Sequence, residues 1–388
     1  MTHKILPVEE FVAPDEFTNR VAELTYLQEW VQNISQGKSN SLALISPRRL
    51  GKTALLERLV NTVFFEDWGV APFYYSRGRG ITTLRKFLLD YATVFYRQYI
   101  AYLLQEPRLY RDRSMNLHLL SQLTTADERI GLIQEKFITP FLARYESGNE
   151  PAEMLWTLMV HTPEDVAVST GVKVAILIDE FQDLKTQIYD APESLIIDPK
   201  RHQPVDIPAT FSRQSQSRQA PMLVSGSAVT MIFNTTMGGP LGGRFSFRYL
   251  KPMSTEDGAQ LVKKLIPPEN ITDELAHYLS FQLSGHPYYI TCCARSRYPL
   301  EKFTSRSQID ALIEFELVEG DIGGFWEAHF NENRELINQD DNAELGKKIF
   351  YYFTKYNNQK VEIREIAKQL KVPPEIVEEK LEKLHQAD

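Results

Sequence analysis

The sequence predicts an α/β fold on a mainly parallel sheet, and three observations carry that prediction. Apolar runs of strand length occur at 42–45, 71–75, 174–178 and 222–224, with an alternating run at 245–250. Between most of them apolar residues recur with a helical period, as Leu55, Leu56, Leu59 and Val60 do after the first run. The separations are long enough for the crossover connections that parallel strands require.

Taken in order, the run at 42–45 stops at Ser46-Pro47 and a helical pattern follows, which reads as strand, loop, helix. Between Thr82 and Ala167 strand signals give way to amphipathic segments such as 84–95 and 130–145, a helical insertion of about 82–168 in a core spanning 1–252. Residues 185–219 are polar and weakly patterned, and predict a mobile loop with a short helix. After Pro252 the pattern turns helical, with Ser254 as N-cap ahead of Glu256 and Asp257 and segments near 254–265, 272–284, 287–302 and 306–318. These predict an all-α lid over 253–335. Residues 340–388 have the spacing of a winged helix-turn-helix, with helices near 343–355, at 363–370 and from Glu375, and a turn at Lys371-Val-Pro-Pro374. The pattern stops where a wing is expected, which leaves open an incomplete domain and an effector on a longer chain.

Composition narrows the function. At ~100–200 residues per domain, 388 residues make two or three domains, and 43% apolar with 24% charged residues is ordinary for a globular protein. The 43 Lys and Arg against 51 Asp and Glu give a net charge of −8, the wrong sign for a surface coated for nucleic acid, so any DNA contact must be local. Cys292 and Cys293 are sequence neighbours that cannot build a disulfide framework or a four-ligand zinc site, which fits a reducing, cytoplasmic compartment. No stretch approaches the ~20 apolar residues that cross a bilayer, so no membrane partner is expected.

The sharpest chemical signal is Ser46-Pro-Arg-Arg-Leu-Gly-Lys-Thr53, which departs from the phosphate-loop pattern G-x-x-x-x-G-K-[ST] only at its first position. Along Pro47, Arg48, Arg49, Leu50 and Gly51, backbone N–H groups and the positive end of the following helix would surround phosphates. Lys52 would neutralise the terminal ones and the Thr53 hydroxyl would join a Mg²⁺ shell. The alternative is a chance Gly-Lys-Thr at a helix start. Ser46 in place of glycine predicts a distorted, weaker loop if that position needs a positive φ. Arg48 and Arg49 either add charge beside the phosphates or form a solvated face. The apolar run Val174-Ala-Ile-Leu-Ile-Asp-Glu180 then ends in two carboxylates, with Asp179 suited to hold Mg²⁺ and Glu180 to orient and polarise an attacking water.

With these motifs the chain resembles the P-loop ATPases of the STAND and AAA type, most closely the archaeal ATPase group, which implies an ASCE-type parallel sheet, ATP and Mg²⁺. Phe17-Thr-Asn-Arg-Val-Ala-Glu-Leu24 is similar to the family's F-x-G-R-E-x-E-L segment, which borders the adenine and gives Phe17 and Arg20 that place. Its ordinary reading is a helix start with Val21, Leu24, Leu27, Val31 and Ile34 on a core face. Met222-Leu-Val-Ser-Gly-Ser227 resembles the sensor strand, which puts Ser227 near the γ-phosphate unless it is a common polar strand end. Gly243-Arg244 resembles a Gly-Arg pair whose arginine stabilises transition-state charge from its own or a neighbouring subunit, against the alternative of a surface ion pair. Ser284-Gly-His-Pro287 resembles the Gly-x-Pro element that closes over the base, against a plain helix break at Pro287.

The resemblance implies an ATP-binding protein that hydrolyses ATP slowly as a conformational or assembly switch, with self-association or a protein partner. The alternatives are a DNA-associated initiator or loader using the C-terminal arm, and a non-hydrolysing nucleotide-dependent scaffold. The helix from Glu375 carries more Glu than Lys, which opposes docking on phosphates and points to a protein contact.

Overall fold

Strand β1 (Ser41–Ile45) is buried along its whole length, as expected of a strand covered on both faces. In the computed structural model, which describes residues 17–66, 68–78, 80–190, 204–227, 241–332, 345–346, 348–349 and 362–386, the further strands are β2 (Val70–Ser76), β3 (Thr82–Thr83), β4 (Lys173–Asp179), β5 (Ile188–Tyr189), β6 (Met222–Gly226) and β7 (Phe245–Tyr249). The main sheet has the order β2-β4-β6-β1-β7 and every pairing in it is parallel. All five expected strands are present. β3 and β5 pair separately and were not legible, because two residues carry no periodicity.

This order positions the site. β1 lies between β6 and β7 although the next strand in sequence is β2 at the far edge, so connections diverge at the carboxyl end of β1. In open α/β sheets that divergence opens a crevice where ligands bind.

The chain divides into two units, one reaching to Ser46, from Gly51 to Ser227 and up to Lys251, the other holding Pro47–Leu50 and the residues from Pro252 onward. In the first, α1 (Val21–Ser35) buries Leu27, Trp30, Val31 and Ile34. Val21, expected on that face, is 65% exposed because it is the first residue of the helix. α2 (Lys52–Phe65) follows the phosphate-type loop and buries Leu55, Leu56, Leu59 and Val60, as its period requires. The helical insertion opens with α3 (Leu84–Leu104), capped by the Thr83 side chain. It continues through short helices to Thr162–Thr170, one of them interrupted by a π turn at Gln134–Ile138. Within the expected loop 185–219 lie β5, a short helix Ile207–Thr210 and a 3₁₀ turn Gln214–Gln216, while 191–203 fall outside the described residues.

The second unit holds helices Thr255–Leu265, Asp273–Gln282, Pro287–Ala294, Arg306–Val318 and Asp321–Glu332. Ser254 caps the first through the Asp257 N–H at 3.1 Å, as predicted. The segment expected to run 287–302 stops at Ala294, five residues before Pro299. The helix Asp321–Glu332 has no counterpart among the predicted segments. Helices Ile363–Leu370 and Pro374–Gln386 flank Lys371, whose φ is 56°, and share a small core of Leu345, Ile349, Ile366, Ala367 and Val377. Most of the helix expected near 343–355 lies outside the described residues. No described helix is long and apolar enough to cross a membrane.

Candidate functional site

The loop after β1 takes positive φ at Arg49 (66°) and Gly51 (89°), and not at Ser46. The concern over the missing first glycine is therefore removed: Ser46 sits in ordinary backbone at the strand end, and its hydroxyl faces the loop lysine. Lys52 Nζ donates to Ser46 O at 2.9 Å and to Ser46 Oγ at 3.1 Å, and both side chains are buried. Gly51 caps α2 in the left-handed region, which glycine enters without steric cost. Leu50 is buried in the loop.

Asp179 ends β4, in register with Ser76 on β2. Its Oδ2 accepts the Thr53 hydroxyl at 2.6 Å and, at 3.4 Å, the Tyr74 hydroxyl, while its Oδ1 accepts the Ser225 hydroxyl and the Glu180 N–H. Burial holds the Asp179 carboxyl above the usual aspartate range, with the Ser225 and Thr53 hydroxyls and the Lys52 charge acting the other way. Burial and the nearby Asp179 and Glu57 carboxylates likewise push the Tyr74 phenol up. A desolvated carboxylate touching a threonine hydroxyl is a hard-oxygen pair of the kind that suits Mg²⁺. Asp179 and Thr53 are the residues that would hold the ion, and it would supply charge neutralisation at phosphate oxygens.

Glu180 follows in left-handed backbone, φ 50°, and its Oε2 accepts Ser227 Oγ at 3.0 Å and the Gln182 side-chain amide. Pro-free strand ends on β4 and β6 thus bring Asp179, Glu180, Ser225 and Ser227 together with Lys52 and Thr53. Sequence reasoning named Ser227 but missed Ser225, the serine that touches Asp179. The two are two residues apart and so share a face, a signal that was present in Val-Ser-Gly-Ser. Tyr74 was missed as well. Its backbone N–H and C=O are both bonded by the Gln98 amide of α3, at 2.8 and 2.9 Å, which completes the open edge of β2.

Other expected residues fall elsewhere. Arg244 precedes β7, whose first residue Phe245 pairs with Ser41, the first residue of β1. A parallel strand of five residues runs roughly 13–16 Å, so Arg244 stands at the opposite edge of the sheet from the loop. There its guanidinium donates to Ser212 O and Oγ. This places it away from Lys52, Thr53 and Asp179 of its own chain. Arg20 is buried and donates to Lys251 O at 2.7 Å and to Glu23 at 3.0 Å, anchoring the start of α1 next to Phe17 and Thr18. In the second unit Pro287 opens a helix just after Gly285. A Cβ at Gly285, φ 65°, would lie 2.0 Å from Met253 O, so this bend requires glycine.

Comparison with solved structures adds to this geometry. The Walker-type ATPase PABY2304 of Pyrococcus abyssi matches with a TM-score of 0.52 at 14% identity, covering 96% of this chain and 91% of its own. The fold is that of a P-loop ATPase. The Aeropyrum pernix ORC2 protein, in ADPNP and ADP complexes, is similar at a TM-score of 0.45 and 13% identity over 98% of this chain and 88% of its own. The Aeropyrum pernix ORC1 protein in complex with DNA gives 0.37 and 14% over 96% and 85%. No family model and no curated protein matches the sequence.

Proposed function

We propose that this protein binds ATP with Mg²⁺ through residues 46–53 and Asp179 and hydrolyses it slowly as a conformational or assembly switch. The observation that carries the reading is the 2.6 Å contact between Thr53 and Asp179 at the carboxyl edge of the sheet, where β1 and β4 deliver a phosphate-type loop and an acidic strand end to one place. Thr53 and Asp179 hold the cation, Lys52 exchanges its bonds to Ser46 for phosphate oxygens, and Glu180 accepts a proton from the attacking water. Ser227 and Ser225 fix the two carboxylates. Phe17 and Arg20 line the base side and Pro287 belongs to the lid, as the resemblance implies. Arg244 acts, in this reading, only toward the nucleotide of a neighbouring copy.

A protein partner is favoured over DNA for the helix Pro374–Gln386. On it the side chains of Glu375, Glu378 and Glu379 are exposed while Lys380 is buried, so its described face is acidic. Calorimetry with Mg-ATP tests the whole reading. Lys52→Ala abolishes binding, whereas Glu180→Gln keeps binding and loses turnover. No heat from the wild type, or full turnover in Glu180→Gln, overturns it.

A further inference from the structure

Glu180 occupies a left-handed conformation, φ 50°, that a glutamate keeps only when its surroundings hold it there. A short turn does so. Phe181 N–H donates to Ser225 O at 2.8 Å and Asp183 N–H to Glu180 O at 2.9 Å. The same turn swings Gln182 back beside Glu180, where its Nε2 donates to Glu180 Oε2, the oxygen that also accepts Ser227 Oγ at 3.0 Å. An ionised carboxylate only accepts hydrogen bonds, so the amide nitrogen must be the end that faces it. The amide oxygen Oε1 is then directed elsewhere, and it is buried with no hydrogen-bond partner among the described residues. Leaving a buried acceptor unsatisfied costs stability, a cost that a bound donor removes.

Resting on the proposed ATPase reading, the geometry points to Gln182 as a second contact for the attacking water: we infer that Nε2 positions Glu180 while Oε1 accepts a hydrogen bond from the water that Glu180 deprotonates. The spacing allows it. One amide's nitrogen and oxygen are neighbours, and a water donating its two protons at ~2.8 Å to two acceptors spans about 4.5 Å, which suits an oxygen on the same amide carbon as the nitrogen that touches Glu180. In the step, the water oxygen forms a bond to the γ-phosphorus as the bond from phosphorus to the β–γ bridging oxygen breaks and its electron pair leaves with ADP. One water proton passes to Glu180. The other stays on the incoming oxygen, held by Gln182 Oε1, and ends on the phosphate product.

The test is steady-state and single-turnover hydrolysis by the wild type, Gln182→Met and Gln182→Glu, with Mg-ATP affinity from calorimetry and thermal unfolding of each. Gln182→Met keeps length and packing but no polar end. The expected result is a 10- to 100-fold fall in kcat with ATP affinity within twofold. Gln182→Glu retains an acceptor but sets a second carboxylate against Glu180 and falls at least as far. Adding Gln182→Met to Glu180→Gln costs less than threefold more, because both act on one water. A Gln182→Met turnover within twofold of the wild type, or above it, overturns the role of Gln182, as does a loss confined to ATP affinity. A wild type that binds no Mg-ATP overturns instead the reading on which this inference rests.

Discussion

The two edges of the main sheet use similar side chains for different ends. At the amino edge, Lys173 Nζ donates to Ile34 O and Ser35 O at 3.0 and 3.1 Å, Ser41 Oγ to Ser215 O at 2.7 Å, Arg218 to Lys38 O and Ser39 O at 3.2 and 3.1 Å, and Arg244 to Ser212 O. The recurring acceptor is a backbone carbonyl, so each polar group closes a turn or a helix end. At the carboxyl edge Thr53, Ser225 and Tyr74 donate to Asp179, and Ser227 and Gln182 to Glu180. There the acceptors of these five groups are side-chain carboxylates, beside Lys52, which donates to Ser46 O, and burial makes the charge of Asp179 costly. Serines and basic residues recur at both edges, so residue type alone does not separate a staple from a site.

Substitutions that break one edge without the other sharpen this contrast. The largest effect is expected from Asp179→Asn, which loses turnover and weakens Mg-ATP binding at least 100-fold by calorimetry while raising the thermal midpoint of the nucleotide-free protein. Its folded pKa is raised above the ordinary 3.8, so the unfolded chain binds fewer protons and stability falls as pH rises. The loss begins near 3.8 and is complete above the raised folded value. Denaturant midpoints measured across that range show a smaller fall in Asp179→Asn than in the wild type.

Gln98→Leu comes next. It leaves the buried N–H and C=O of Tyr74 on the β2 edge without their amide partner, and equilibrium unfolding drops by about 2–4 kcal/mol. Arg244→Ala removes a charged donor from a carbonyl at the amino edge and lowers stability by about 1–2 kcal/mol, with ATP affinity within twofold. A tenfold loss of affinity in the isolated chain contradicts the placement of Arg244. Tyr74→Phe is the mildest, because its 3.4 Å bond to Asp179 is long. The apparent Mg²⁺ requirement of ATP binding shifts about threefold or less, and the fold stays intact.

Local pattern carried much of this protein. The β1 run, the helix after it and the acidic end of β4 are each written in consecutive residues, so period and composition sufficed to place Lys52, Thr53, Asp179 and Glu180. Gln182 and Ser225 were visible as letters but not as partners, since nothing in a linear spacing says which hydroxyl meets which carboxylate oxygen. Ser46 illustrates the limit from the other side. A glycine pattern suggested that its φ mattered, whereas the backbone puts the positive φ at Arg49 and Gly51.

Sequence by itself determined that this chain makes strands and helices in α/β alternation, that a phosphate-type loop follows the first strand and that a carboxylate pair ends another, because those depend on neighbours within a few residues. Only the tertiary structure decided the strand order that brings β4 and β6 to the loop, set Arg244 at the far edge of the sheet, and joined Tyr74, Gln98 and Gln182 to the site. Those depend on pairing between residues tens to hundreds apart, which the burial of β1, β2, β4 and β6 fixes and no local period records.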